Sequence, residues 1–256
     1  MLLFSTIDEA KAEALAIEIN TSGFAKLERA LSADTLQHIR SHIETRAACH
    51  HGQYFAYHGE QALAGSLLAE LVAEPAFKAL LARIYFYGAG RAAHSEQIFP
   101  VLRCVQGLSG LKESNCFHYD ATLLTVLVPI CIPHEERGRG DLMIFANLRH
   151  VRATVLQNII DKALVQNALS RRLITWAIQR GWLTPKTLPL MPGTIYFFWG
   201  YRSLHANQPC SPDFRRATAL LHFGDPHAAS FATRLILRLT QRRARRVIAQ
   251  ADSTRS

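Results

Sequence analysis

The chain has little with which to build a disulfide framework or a zinc knuckle. Its five cysteines, Cys49, Cys104, Cys116, Cys131 and Cys210, are odd in number and scattered, and they form no C-x-x-C pair. Reduced, mostly buried thiols are expected. There is no apolar run long enough to cross a bilayer, and the opening "MLLFSTIDEA" turns acidic too early for a secretory signal. A soluble cytoplasmic protein is therefore expected. Internal repeats, low-complexity segments and linker-like stretches are also missing, which argues for one domain over residues 1–256.

Negative charge is in short supply. Lys and Arg total 29 against 20 Asp and Glu, a net charge of +9, which favours an anionic partner such as a nucleic acid, a phosphorylated small molecule or a membrane surface. Much of the excess is local. In "TRLILRLTQRRARRVIAQ", Arg234, Arg238, Arg242 and Arg246 fall at i+4 steps while Leu235, Ile236, Leu239 and Val247 lie off that stripe. Residues 229–250 thus read as a basic amphipathic helix, either packed on the domain or peripheral to an anionic membrane. No recognised motif accompanies the charge, which argues against a nucleic-acid partner.

Residues 1–94 scan as mainly helical support, through "IDEAKAEALAIEI", "SADTLQHIRSHIETRAA" and "EQALAGSLLAELVAEPAFKALLARIYFYG", with one short strand at "GFAKLE". Ser32, ahead of Asp34 and Thr35, is placed to start a helix. From residue 95 to 225 the pattern is one of strands: "EQIFPVLRCVQG", "NCFHYDA", "LLTVLVPICI", "DLMIFAN", "GTIYFFWG" and "RRATALLHFGD". A helical block at about 152–180 interrupts them as an insertion. The expected class is a mostly β core with flanking helices (α+β), a sandwich or barrel braced by helices.

"CFHYDATLLTVLVPI" places His118 and Asp120 two apart at the head of a run built for burial. On a strand, i and i+2 share a side, so both groups would meet the same space, at a desolvation cost. Alone, H-x-D is weak. His205, in "WGYRSLHANQPC", follows an aromatic strand and supplies a second imidazole. Two imidazoles and a carboxylate can occupy one face of an octahedral ion, the pattern suited to non-haem Fe(II) oxygen chemistry; catalytic zinc normally keeps one open position, not three. In "FRRATALLHF", a strand from about Arg215 puts Arg216, Thr218, Leu220 and His222 on one face. Arg216 and Thr218 could then grip a carboxylate together, with Arg215 as the fallback.

Taken together, His118, Asp120, His205 and the strand-opening Arg216 resemble the Fe(II)/2-oxoglutarate-dependent dioxygenases. "TSGFAKLERALSADTLQHIR" looks like the entry segment of the phytanoyl-CoA dioxygenase-like branch, and "HANQPCSPDFRRATALLHFGDP" is similar to its closing segment. The block from Arg152 to Arg180 matches nothing in that pattern. The resemblance implies a double-stranded β-helix (jelly-roll, cupin-like) barrel with Fe(II) held by His118, Asp120 and His205 at its mouth. It also implies 2-oxoglutarate as co-substrate, chelating the metal by its keto acid end, with its far carboxylate on Arg216 and Thr218 and with Asn207 helping to order it. O₂ takes the remaining position, and succinate and CO₂ are released. No catalytic residue beyond the metal centre is implied. Hydroxylation of a small-molecule or lipid-like substrate is the expected outcome; halogenation would need a small residue where Asp120 stands.

Two other readings are open on the sequence: a non-catalytic domain of the same fold binding anionic lipid or a partner, and a membrane-peripheral oxygenase acting on an anionic glycolipid. His50 and His51 read as structural or substrate-facing. "HEERGRGD" reads as a solvated loop or a lid, and Tyr196, Phe197, Phe198, Trp199 and Tyr201 as core.

Overall fold

The computed structural model describes residues 8–135 and 138–228. The basic stripe from Arg234 to Arg246 and part of the "HEERGRGD" loop lie outside the described residues. No described helix is long and apolar enough to cross a membrane.

The leading helices follow the apolar spacing of the first third: α1 (Glu9–Ser22), α2 (Ala33–Ala48), α3 (Leu67–Ala73) and α4 (Pro75–Ala89). Asp8 and Ser32 start α1 and α2 by accepting hydrogen bonds from the main-chain N–H groups of Lys11 and Thr35, donors that have no partner inside the helix. Strand β1 (Ala25–Leu27) lies between α1 and α2, where expected, and β2 (Phe55–His58) follows α2. Strand β3 (Ile98–Val105) is followed by a single helical turn, α5 (Gly107–Gly110), and then by β4 (Leu124–Cys131) and β5 (Leu142–Phe145). The block expected at 152–180 is two helices, α6 (Val155–Gln166) and α7 (Ala168–Gln179), divided at Asn167, whose side chain caps α7 by accepting from Ser170 N–H. Strands β6 (Lys186–Leu188), β7 (Ile195–Phe198), β8 (Leu204–Asn207) and β9 (Arg216–Phe223) complete the described chain.

All strand pairs are antiparallel and form two sheets, one ordered β1-β7-β4-β9-β3-β2 and the other β6-β5-β8. Alternation assigns each face of the large sheet. Val126, Val128, Phe197, Ala217, Ala219 and Leu221 pack in one core with helix residues such as Leu15, Ile19, Leu80 and Ile84. Their neighbours Leu127, Tyr196, Phe198 and Leu220 point the other way and meet Leu142, Ile144 and Leu188 of the small sheet. This is the expected jelly-roll arrangement, with one correction: among the described residues the two sheets form an open sandwich and not a continuously paired barrel.

The hairpin of α6 and α7 covers the outer side of the small sheet, where Val165, Ile174 and Ile178 pack on Phe117, Tyr119, Met143, Leu204 and Ala206. The cysteines are unpaired, but only Cys104 and Cys210 are fully buried and Cys49 is exposed, so the expectation of mostly buried thiols fails. Cys49 ends α2 on the solvent side, which its helical spacing leaves uncovered.

Candidate metal centre

His118 and Asp120 do not lie on a regular strand. The segment before β4 changes partner midway, which prevents a continuous ladder. The main chain of His118 exchanges hydrogen bonds of 3.0 and 3.1 Å with His205 in β8, whereas Asp120 N–H donates to the carbonyl of Gly200, just after β7, at 3.0 Å. The segment therefore bridges the two sheets, and the extended i,i+2 relation still turns both side chains to one space.

In that space three side chains converge. His118 Nε2 lies 3.6 Å from Asp120 Oδ1, and His205 Nε2 lies 3.5 Å from Asp120 Oδ2. One donor atom from each of the three residues falls within 4.8 Å of the others. Both imidazoles are held in the form a metal requires. His118 Nδ1 sits 2.8 Å from the Cys116 carbonyl and His205 Nδ1 3.0 Å from that of Ser203. A carbonyl only accepts, so Nδ1 carries the proton in each ring and the Nε2 lone pair is free to ligate. Burial, then the neighbouring His205, pushes His118 down to about 4, so the ring is neutral at ordinary pH. Burial works against the Asp120 carboxylate, but the surrounding imidazoles of His205, His222 and His118 and the Thr125 hydroxyl outweigh it and hold the carboxyl below its usual range.

Three supports were not singled out for this task by the sequence. Thr125 donates its hydroxyl to Asp120 Oδ2 at 2.5 Å. His222 Nδ1 lies 3.8 Å from the same oxygen. Gly200 leaves the room: a Cβ there would collide with Asp120 Oδ2 and Thr125 Oγ1. Thr125 could have been found by counting, since it leads the inward face of β4 five residues after Asp120; Gly200 carried no signal in one sequence.

Arg216, Thr218 and Asn207 are brought together on the same interior wall. Arg216 opens β9, is 1% exposed, and donates from Nη2 to Asn207 Oδ1 at 3.0 Å. Its Nε and Nη1 are buried without a hydrogen-bond partner. Burial, then nearby Arg103, lowers it to about 10. Leaving a buried guanidinium without an anion costs several kcal/mol, roughly the penalty of a broken buried ion pair. A carboxylate placed against it would remove that cost. Asn207 lies two residues along β8 from His205, about 7 Å, so a short dicarboxylate reaching from the metal atoms to the guanidinium fits the spacing. Thr218, also buried, stands one inward position along β9 from Arg216. Arg215 is exposed and occupied, with Nε donating to Gln106 Oε1 at 2.9 Å.

Of the remaining candidates, Phe198 borders the cluster, its ring meeting the His205 imidazole edge-on at 5.0 Å between centroids. His50 stacks on Phe55 and bonds the Tyr57 hydroxyl at 2.8 Å, a structural position; His51 is exposed in a turn. Tyr196, Phe197, Phe198, Trp199 and Tyr201 are all buried, as core.

No family model matches the sequence, and no curated protein matches it. Solved structures do. A prolyl hydroxylase from Trichoplax adhaerens, in complex with a hypoxia inducible factor oxygen degradation domain peptide fragment, superposes with a TM-score of 0.58 at 11% identity, over 85% of this chain and 90% of that one. The non-heme alpha ketoglutarate dependent carbocyclase SnoK from nogalamycin biosynthesis gives 0.57 at 13%, over 87% and 85%. The alpha ketoglutarate dependent epimerase SnoN from the same biosynthesis gives 0.54 at 18%, over 85% and 82%. The chain thus has the fold of these enzymes, two of them alpha ketoglutarate dependent, as the H-x-D and distant His suggested. The phytanoyl-CoA dioxygenase-like branch rests on the two sequence segments alone.

Proposed function

We propose that this chain is a non-haem Fe(II)- and 2-oxoglutarate-dependent dioxygenase that hydroxylates a small-molecule or lipid-like substrate. The observation that carries the reading is a pairing of two features on one interior wall. Two Nε2 lone pairs and a carboxylate converge at one end, and a buried guanidinium with unpartnered N–H groups waits at the other. A structural ion site would account for the first and leave the second without purpose.

In this reading His118, Asp120 and His205 hold Fe(II), and the Cys116 and Ser203 carbonyls and the Thr125 hydroxyl fix their orientation. Arg216 and Thr218 receive the far carboxylate of 2-oxoglutarate, and Asn207 aims the guanidinium. When bound, the metal and 2-oxoglutarate supply O₂ activation coupled to decarboxylation to succinate and CO₂. Asp120 keeps its place as a ligand, which supports oxygen insertion over halide transfer. Similar folds carry hydroxylation, cyclisation and epimerisation in the named enzymes, so the fold does not choose among them; the carboxylate ligand argues against halide transfer, and hydroxylation is taken as the default outcome.

The test is succinate formation from 2-oxoglutarate with Fe(II) and O₂, in wild type and in Asp120→Ala. Metal-dependent succinate in wild type and none in the variant is expected. No succinate from a folded wild type that also retains no iron would favour the non-catalytic reading.

A further inference from the structure

Helix α6 is fastened beside the metal-bearing segment along one face. Asn158 and Asp161 take the Arg149 guanidinium at 2.9 and 3.1 Å, Val165 packs on the Phe117 and Tyr119 cluster, and Gln166 Nε2 donates to the Tyr119 carbonyl at 3.2 Å. Arg149 lies 3.9 and 4.3 Å from the Tyr119 and Tyr201 ring centroids, so the attachment is rigid. A helix repeats its face at three- and four-residue steps. Position 162, set between 158 and 161 on one side and 165 and 166 on the other, shares that face.

The residue there is Lys162. Its ammonium is partly buried, and burial pushes it below the ordinary lysine range. The titratable and charged groups that feel it come from three elements: Asp120, His222, the pair Asp225 and His227, and Arg149. Among the described residues it makes no hydrogen bond and no ion pair. Arg149 has Asp161 as its counter-charge, and Asp225 Oδ1 accepts from His227 N–H at 2.7 Å. Lys162 has no ion pair of its own, and Asp120 and Asp225 act on it only through space.

Loading the site sharpens the imbalance. A divalent metal is balanced by Asp120 and the near carboxylate of 2-oxoglutarate, and Arg216 by the far one. Lys162 remains a positive charge beside a centre that no longer offers it Asp120. Phe99 pairs in register with His222 on the neighbouring strand, so its ring stands on the same face of the sheet as His222, and it is 47% exposed, an apolar surface on that face.

Resting on the function proposed above, we infer that Lys162 is a substrate-positioning residue that receives an anionic group, a carboxylate or phosphate monoester, on the compound oxidised at the metal. The apolar surface of Phe99 makes that compound an amphiphilic anion.

The test uses the full chain with its six lysines converted to ¹³C-dimethyl-lysine, loaded with Zn(II) and 2-oxoglutarate. Octyl phosphate, octanoate and, as the neutral control, octanol are titrated in. The Lys162 signal, identified by its loss in Lys162→Arg, should move saturably with at least one anion and not with octanol, ahead of the other five. Which anion acts separates phosphate from carboxylate recognition. Lys162→Met should weaken that binding tenfold or more by calorimetry, and Lys162→Arg should restore it to within threefold. No selective movement, or equal binding by Lys162→Met, overturns the inference. A parallel anaerobic sample with Fe(II) and 2-oxoglutarate separates the two failures. Its visible charge-transfer band without a Lys162 response sinks only the Lys162 role, and absence of the band sinks the oxygenase reading and the Lys162 role with it.

Discussion

Around the candidate metal cluster of the β core, side chains are mostly buried; on the α6–α7 hairpin, Leu156, Ile159, Ile160, Leu164, Leu169, Leu173 and Trp176 face solvent, and α7 has no buried residue at all. The two regions are therefore held by different forces. The core is fixed by alternation of strand residues between two apolar layers and by hydrogen bonds that leave each ligand one orientation. The hairpin is fixed through a few polar clasps on its inner face, Arg149 to Asn158 and Asp161 and Gln166 to the Tyr119 carbonyl, beside the partly buried apolar contacts of Val165, Ile174 and Ile178. Chemistry common to many substrates belongs in the rigid region. Selectivity belongs where an added element reaches the rim, the role proposed for Lys162.

That division predicts a steep fall in the effect of substitutions from core to hairpin. Asp120→Ala should act hardest, abolishing metal-dependent succinate formation by about a thousandfold or more while the protein stays folded by circular dichroism; residual turnover within tenfold of wild type would remove Asp120 from the ligand set. Arg216→Met should weaken 2-oxoglutarate binding by about a hundredfold, read by calorimetry. The same variant should not lower the melting temperature of the metal-free protein, because it removes a buried charge whose Nε and Nη1 lack partners. A large loss of stability with unchanged 2-oxoglutarate affinity would instead make Arg216 structural. Gly200→Ala should come next. The new methyl group collides with Asp120 and Thr125, so metal affinity should drop by roughly ten- to a hundredfold, as for other changes that misorient a ligand. Equal affinity would show that the carboxylate has room to spare. Smallest of all, Leu156→Gln and Leu164→Gln on the solvent face of α6 should each change stability by less than about 0.5 kcal/mol in urea unfolding. A loss above about 2 kcal/mol in either would mean that this face is covered in solution and the contrast between the regions is weaker than drawn.

Much of the core was legible because its signals are local. Alternation in "RRATALLHFGD" placed Arg216, Thr218, Leu220 and His222 on one face, and β9 keeps that face, with Leu220 in the inter-sheet core. The three residues that converge in the candidate metal cluster were legible from residue type and spacing. What failed was the form of the segment carrying two of them. "NCFHYDA" has the composition of a strand, but its main chain divides its hydrogen bonds between two sheets, a long-range event that periodicity does not encode. Strands β2, β6 and β8 were missed: they have four residues or fewer, and polar residues interrupt each of them, whereas the equally short β5 and β7 are continuous apolar runs. Gly200 and Asn207 act through contacts with residues distant in sequence. A glycine in "FFWGYR" reads locally as a turn, and only packing shows that it makes room for a carboxylate; Asn207 was expected beside the co-substrate, and packing adds its hydrogen bond from the Arg216 guanidinium.

On the function proposed above, one interior wall holds a metal at one end and a dicarboxylate at the other. Anaerobic titration of the metal-free protein with Fe(II), followed by 2-oxoglutarate, tests it most directly. A weak visible charge-transfer band that saturates with 2-oxoglutarate, is lost in Asp120→Ala and requires much more 2-oxoglutarate in Arg216→Met is the predicted result. A folded wild-type protein that gives no band and retains no iron would contradict it, leaving the His118, Asp120 and His205 cluster without a metal to hold.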